Sequence, residues 1–175
     1  MILIGHILRA SAVFLALALP ALAQDPTVPR IPEPIEGTWR TLTGTEINIQ
    51  PCGAEFCGTF SYIVIPGKDA EICRSMAKTD FATLILDYKN PNQSLQTRSL
   101  LGLSALAVRP TRDKNAFTAS IYNAEEGQTY DVLLWVRGNT LTLGGGCLGS
   151  MCAVTQDWPR VPDREDAPTF TCDGA

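Results

Sequence analysis

Residues 130–143 read YDVLLWVRGNTLTL and carry the clearest structural signal in the chain. Apolar or aromatic side chains recur at every second position on both sides of Gly138-Asn139, namely Tyr130, Val132, Leu134, Val136, Leu141 and Leu143. A period of two is typical of a β-strand that buries one face, and a Gly-Asn pair between two such runs is typical of a tight turn. The segment therefore predicts an antiparallel β-hairpin.

The same alternation continues on both sides of this hairpin. Residues 45–50 and 117–122 alternate in the same way, and further strand candidates are 37–42, 59–65, 82–86, 101–108 and 151–158. Antiparallel strands in this number close as a sandwich or as an up-and-down barrel, and successive hairpins in chain order favour the barrel. We therefore predict an all-β fold, an antiparallel up-and-down β-barrel of eight or nine strands. An eight-stranded barrel is filled by its own side chains or holds one small ligand.

The first 23 residues have the layout of a secretory signal peptide. Arg9 precedes a short apolar run over 11–19, and Ala21-Leu-Ala23 offers the small residues that a signal peptidase reads. Cleavage is therefore predicted after Ala23, with export to the periplasm or the medium. A membrane anchor is the alternative, but the run over 11–23 is shorter than the ~20 apolar residues that a bilayer needs, and Pro20 interrupts it. We expect no transmembrane segment in the mature form.

The predicted organisation after cleavage has three parts. Residues 24–35 form a proline-rich arm, since four prolines in this stretch exclude a helix. Residues 36–161 form the barrel domain, and residues 162–175 form an acidic C-terminal tail.

Charge and histidine content exclude several classes of function. The chain has 14 Lys and Arg against 18 Asp and Glu, a balance that argues against nucleic-acid binding. Loss of Arg9 with the leader leaves 13 basic and 18 acidic residues, a net charge of −5. The one histidine, His6, lies in the predicted leader, so the mature chain has none for a Ser-His-Asp triad or an imidazole metal site. We expect a protein that is not an enzyme and that holds no cofactor or metal.

The six cysteines predict three disulfides in an exported protein. Fifteen connectivities are possible. The preferred one joins the closely spaced pairs, Cys52 with Cys57 and Cys147 with Cys152, and leaves Cys73 with Cys172. A four-thiolate zinc site is the alternative, although paired zinc ligands usually have two to four residues between them and export disfavours free thiolates.

Short motifs follow one another along the mature chain in an order that resembles a known family. They are Gly37-Thr-Trp39, Cys52-Gly-Ala-Glu-Phe-Cys57-Gly58, Asp87-Tyr-Lys-Asn90-Pro91, Arg98-Ser-Leu-Leu-Gly102, Ile121-Tyr122, Gly127-Gln-Thr-Tyr130, Gly146-Cys147, Met151-Cys152 and Thr155-Gln-Asp-Trp158-Pro-Arg160. Over residues 35–161 the chain resembles the secreted bacterial family catalogued as domain of unknown function 2147. The resemblance implies an exported, lipocalin-like calycin barrel with a small-ligand role.

Three departures from the family pattern bear on the expectations. Asn123-Ala124 stands where the family usually has Asp-Pro, and Ala153-Val154 stands where it commonly has a basic residue after the last cysteine pair. Cys73 and Cys172 lie outside the matching motifs, which supports their pairing with each other.

The resemblance also implies a structural role for Trp39 and Arg160. In lipocalin-like barrels a first-strand tryptophan plugs the closed end, and an arginine from the last strand stacks on it by a cation–π contact. The alternative is a role in ligand contact.

Arg98, Asp87, Tyr122 and Tyr130 are the candidate ligand-binding residues. In a barrel they fall near strand ends, where the mouth could orient the polar head of a ligand. The alternative is structural: Asp87 pairs with Arg98 to pin the loop over 89–94, and the tyrosines pack.

The predicted function is therefore that of an exported lipocalin-like protein that binds a small apolar or amphipathic ligand in the barrel. The alternative is a periplasmic protein-interaction or inhibitor module whose barrel is filled. Ser75-Met-Ala-Lys78 matches the Ser-x-x-Lys pattern of penicillin-interacting enzymes, but the partner motifs of those enzymes are missing and a solvated loop is expected.

Overall fold

The structure, a computed structural model, describes residues 32–149 and 151–172. The predicted signal peptide, most of the proline-rich arm and the last three residues of the tail lie outside the described residues. No described helix is long and apolar enough to cross a membrane.

The described chain is built mainly from strands, with two short helices in the longest connection. The elements are β1 (Gly37–Arg40), β2 (Glu46–Cys52), β3 (Glu55–Val64), α1 (Gly67–Ser75), α2 (Lys78–Ala82), a 3-10 turn (Gln93–Leu95), β4 (Ser104–Pro110), β5 (Ala116–Asn123), β6 (Gln128–Arg137), β7 (Thr140–Leu148), β8 (Met151–Val161) and β9 (Thr169–Thr171).

Strands β1 to β8 form a closed antiparallel barrel. Each strand pairs with the next, and β8 returns to β1, where Arg160 lies opposite Trp39. The predicted eight-stranded up-and-down barrel is therefore confirmed, with one extra strand. We call the end that carries the connections 41–45, 65–103 and 124–127 the rim, and the end where the chain enters β1 the closed end.

The predicted strand over 82–86 is wrong. Helix α2 ends at Ala82, and Leu86 makes only an isolated bridge with Ser99. Phe81 and Ile85 are buried in a small second core that the connection between β3 and β4 forms with β9.

The extra strand, β9, lies in the segment that the sequence marks only as an acidic tail. Residues Thr169–Thr171 run parallel to Tyr62–Val64 of β3. Phe170 packs in the second core, and the disulfide between Cys73 and Cys172 joins this strand to α1.

A buried carboxylate holds the chain between β8 and β9 against the outside of the barrel. Glu46 is 1% exposed and accepts from Arg40 at 2.9 Å and from Arg164 at 2.8 Å. The guanidinium of Arg164 also lies 3.6 Å from the ring centre of Tyr62. Two arginines on one buried carboxylate offset its desolvation, so the tail segment is docked rather than solvated.

All three predicted disulfides are present: Cys52 with Cys57, Cys147 with Cys152, and Cys73 with Cys172. The zinc alternative is excluded, because none of the six cysteines is a free thiolate.

Candidate functional site

Inward-facing side chains fill the barrel upward from its closed end. One continuous apolar cluster contains Ile35, Trp39, Ile47, Ile49, Phe56, Leu106, Val108, Phe117, Ala119, Val132, Leu134, Val136, Leu141, Leu143 and Trp158. These residues come from every barrel strand, so the alternating pattern of each strand contributes to a single core.

Trp39 plugs the closed end and is fully buried. Its indole Nε1 donates to the backbone oxygen of Ile35 at 2.8 Å. The guanidinium of Arg160 lies 4.1 Å from the Trp39 ring centre and donates to the backbone oxygens of Pro34 and Glu36. Burial lowers the pKa of Arg160, and the negative charge of Asp163 partly opposes this shift. Arg160, which belongs to β8, thus contacts both β1 and the segment that leads into β1.

The inner wall changes character toward the rim. Phe60 and Ile121 pack against the core but are only partly buried. Tyr130 precedes Val132 and Leu134 on the same face of β6, and 44% of its surface is exposed. Its hydroxyl donates to Glu126, and this hydrogen bond raises the pKa of Tyr130. Apolar side chains of the inner wall are therefore accessible at the rim.

The wall is also incomplete at this end. Pairing between β6 and β7 stops at Val132 and Gly145, so residues 128–131 of β6 have no β7 partner among the described residues. Beyond this point the hairpin that carries the Cys147–Cys152 disulfide no longer pairs with β6. Gly146 has φ +61°, a backbone conformation that glycine adopts without strain and that lets the hairpin bend.

Three of the four candidate binding residues form one polar cluster. Asp87 is fully buried and accepts from Arg98 at 2.8 Å, from Asn90 at 2.8 Å and from the hydroxyl of Tyr122. The fourth candidate, Tyr130, is not among them. The Asp87–Arg98 pair ties the two ends of the loop over 89–94, as the structural alternative requires.

This cluster lies on the outside of the barrel wall. Ile121 faces the core, so the next residue of the strand, Tyr122, faces outward with its partner Thr129. Asp87, Asn90 and Arg98 reach Tyr122 from the connection between β3 and β4. The sequence already contained this signal, because Tyr122 alternates with the apolar face of β5.

Burial and hydrogen bonding act in opposite directions on Asp87. Burial raises its pKa, but the hydrogen bonds from Tyr122, Asn90 and Arg98 and the charge of Arg98 outweigh this and hold it below the ordinary value of 3.8. Burial and the bond to Asp87 raise the pKa of Tyr122. Asp87 is therefore an ionised structural anchor with its oxygens occupied.

A close backbone contact fixes this loop against the barrel. A Cβ at Gly127, in the turn between β5 and β6, would lie 1.8 Å from the backbone oxygen of Lys89. Gly127 also has φ +69°. Only glycine fits on both counts; in the sequence Gly127 stands out only as the first residue of a family motif, which does not indicate this contact.

The Ser-x-x-Lys match does not form a catalytic pair. Ser75 donates to the backbone oxygen of Ile72, and Lys78 donates to Thr169 at 2.9 Å while lying over the ring of Phe170. Ser75 therefore bonds to the backbone of α1, and Lys78 joins α2 to β9.

Comparison with known proteins agrees with this architecture. Residues 37–160 match the family model described as "Uncharacterized protein conserved in bacteria (DUF2147)". No curated protein matches the chain in sequence. Among solved structures, protein HP1028 from Helicobacter pylori, described as belonging to the lipocalin family, is similar with a TM-score of 0.53 and 22% identity, over 74% of this chain and 84% of that one. At this identity the likeness shows the fold.

Proposed function

Since the chain belongs to the bacterial DUF2147 family and folds as a lipocalin-like barrel, we propose that it is an exported protein that binds a small apolar or amphipathic molecule inside the barrel. One observation carries the proposal: Phe60 and Ile121, on the inner wall below the rim, are apolar and only partly buried. A ligand that covered them would remove apolar surface from water, at about 25 cal/mol for each Å². The role proposed is binding and not catalysis.

The arrangement defines how such a ligand would lie. Its apolar part enters from the rim and stops above the side chains that surround Trp39. Tyr130 and Glu126 stand at the rim beside the entrance, where a polar head would remain in water. Of the four candidate residues, Tyr130 is therefore the one we assign to the ligand, while Asp87, Arg98 and Tyr122 hold the outer loop.

Displacement of a dansyl-labelled fatty acid by unlabelled fatty acids of increasing chain length tests this function. Affinity should rise by roughly fourfold for each added methylene, since burying one contributes about 0.8 kcal/mol, until the chain reaches the filled part of the barrel. Failure of every chain length to displace or bind the probe would contradict the proposal.

A matched pair of variants locates the site. Tyr130→Asp places a carboxylate on the inner rim and should weaken fatty-acid binding, whereas Tyr130→Asn changes shape similarly without charge and should weaken it less. Thr129→Asp adds the same charge one residue away on the outer face and should leave fatty-acid binding unchanged. Equal losses in Tyr130→Asp and Thr129→Asp would show that the ligand does not enter the barrel.

Export is part of the proposal. Expression of the full chain in a Gram-negative host, followed by mass measurement of the periplasmic fraction, should give a polypeptide that begins at Gln24 and carries three disulfides. An uncleaved chain in the cytoplasm would refute this part without touching ligand binding.

A protein-interaction role is the second candidate, and one observation favours it. The tip of the β7–β8 hairpin presents Leu148 and Met151, which are 84% and 77% exposed, next to the Cys147–Cys152 disulfide. Exposed apolar side chains on a stapled tip are typical of contact surfaces. Capture of a stoichiometric periplasmic protein that is lost in Leu148→Ser would support this role, and capture that is unchanged would refute it.

A further inference from the structure

An open cleft of about 550 Å³ lies at the rim, beside the loop that Asp87 anchors. Its lining includes Pro91, Arg98, Ser104, Tyr122, Gln128 and Thr129. Ser104, Tyr122 and Thr129 belong to strands β4, β5 and β6, so a rigid sheet forms one wall. Tyr122 and Thr129 face away from the core, whereas Gln128 lies on the face of β6 that carries Tyr130.

The guanidinium of Arg98 is held in place before any ligand arrives. Its Nε and Nη2 atoms contact Asp87 Oδ2 at 2.9 and 2.8 Å, and the group lies 5.6 Å from the Tyr122 ring centre. Asp87 is itself fixed by Asn90 and Tyr122. A donor whose rotamer is already fixed loses little conformational entropy on binding.

One edge of that guanidinium is still available. An arginine has five N–H donors, and both contacts to Asp87 go to a single oxygen through Nε and Nη2. Within the described residues Nη1 has no hydrogen-bond partner. The edge formed by Nη1 and the second hydrogen of Nη2 matches the two oxygens of a carboxylate, and the Arg98 side chain is 34% exposed.

The surroundings favour a singly charged, hydrogen-bonding ligand. Arg98 is the one charged side chain among the described residues that line the cleft, and Asp87 already offsets part of its charge. A dianion such as phosphate would bring a second charge with no partner, whereas a carboxylate brings one. Ser104, Gln128 and Thr129 offer polar side chains that make no hydrogen bond within the described residues, and Pro91 and Tyr122 supply apolar surface.

We propose that this cleft beside the Asp87 loop is a second binding site, which takes a small organic monocarboxylate with hydroxyl substituents. Arg98 receives the carboxylate, and Gln128, Thr129 and Ser104 receive the hydroxyl groups. The volume lies within the range usual for small-molecule sites, about 300–1,000 Å³. The existence of this site does not rest on the function proposed above.

Titration of the disulfide-intact mature protein with D-glucuronate, followed by backbone amide NMR, tests the proposal. D-glucose is the neutral control with the same ring. Glucuronate should shift the amides around Arg98, Ser104, Gln128 and Thr129, and glucose should bind more weakly. An absence of shifts at high millimolar glucuronate, or equal binding of glucose and glucuronate, would overturn the proposal.

Variants that leave the Asp87 network intact identify the cleft as the place of binding. Thr129→Asp puts a like charge beside the carboxylate and should weaken glucuronate binding by about tenfold or more. Thr129→Asn, of nearly the same size and without charge, should change it by less than about threefold. Thr129 is exposed, so both variants should fold. Equal affinities in the two variants would overturn the proposal, while unchanged fatty-acid binding in both would keep this result separate from that of the barrel.

Discussion

Removing the Cys73–Cys172 disulfide should destabilise the protein far more than removing either of the other two. The bridge joins residues 99 apart in sequence, whereas each of the others joins residues five apart. The loop-entropy relation assigns about 4.7 kcal/mol to a closed loop of roughly 100 residues and about 2 kcal/mol to a loop of about six. Strain in the native bridge would lower both values. We therefore expect Cys73→Ala/Cys172→Ala to lose about 2–3 kcal/mol more than Cys52→Ala/Cys57→Ala.

Urea unfolding followed by circular dichroism measures this difference. The midpoint should fall most in Cys73→Ala/Cys172→Ala, and its m-value should rise because the unfolded chain expands once the long loop opens. Both double variants lack two cysteines, so the short-loop variant controls for the loss of sulfur chemistry. Equal midpoints in the two double variants would show that the long bridge is not the main covalent restraint on the connection over 65–103 and on β9, and would refute the prediction.

Two further perturbations test the polar contacts that hold the fold. Asp87→Asn should cost about 1–3 kcal/mol at neutral pH, because the donors from Arg98 and Tyr122 lose a charged acceptor. The folded-state pKa of Asp87 lies below 3.8, so its contribution is present above that pH and is lost as the pH falls through the folded-state value. The stability gap between Asp87→Asn and the parent should therefore narrow below about pH 4 in acid unfolding curves. A gap that stays constant to pH 2 would contradict this. Arg160→Met should cost about 2–4 kcal/mol in thermal or urea unfolding, through two lost hydrogen bonds to backbone oxygens and the lost contact with Trp39. A loss below 1 kcal/mol would show that the closed end does not depend on Arg160.

Alternation of apolar side chains was sufficient to predict the barrel from sequence. The period of two in residues 117–122 and 130–143 recurs in the structure as the inner faces of β5, β6 and β7. It failed at residues 82–86, where Phe81 and Ile85 are buried in a local core that only the folded insertion creates. The alternation of apolar side chains also gave no signal for β9, because a strand of three residues is too short to show a period. The pairing of β9 with β3 depends on how the tail is anchored.

Only part of the candidate site could be predicted from the sequence. Sequence motifs brought Asp87, Arg98 and Tyr122 together as a set, and the structure places them in contact. Their position outside the barrel follows because Tyr122 is adjacent to the inward-facing Ile121 and so lies on the opposite face of β5. The sequence already shows this alternation. The contact of Gly127 with Lys89 could not be foreseen, since it depends on the path of a connection of nearly 40 residues.

Native mass spectrometry of the mature protein, purified from the periplasm without detergent, shows whether the barrel holds a ligand. We expect a protein that carries, or takes up from added fatty acid, one lipid-sized molecule per chain, and that loses it in Tyr130→Asp but not in Thr129→Asp. A bare polypeptide mass that persists with excess fatty acids of every chain length would contradict the claim and would mean that the barrel is filled by its own side chains.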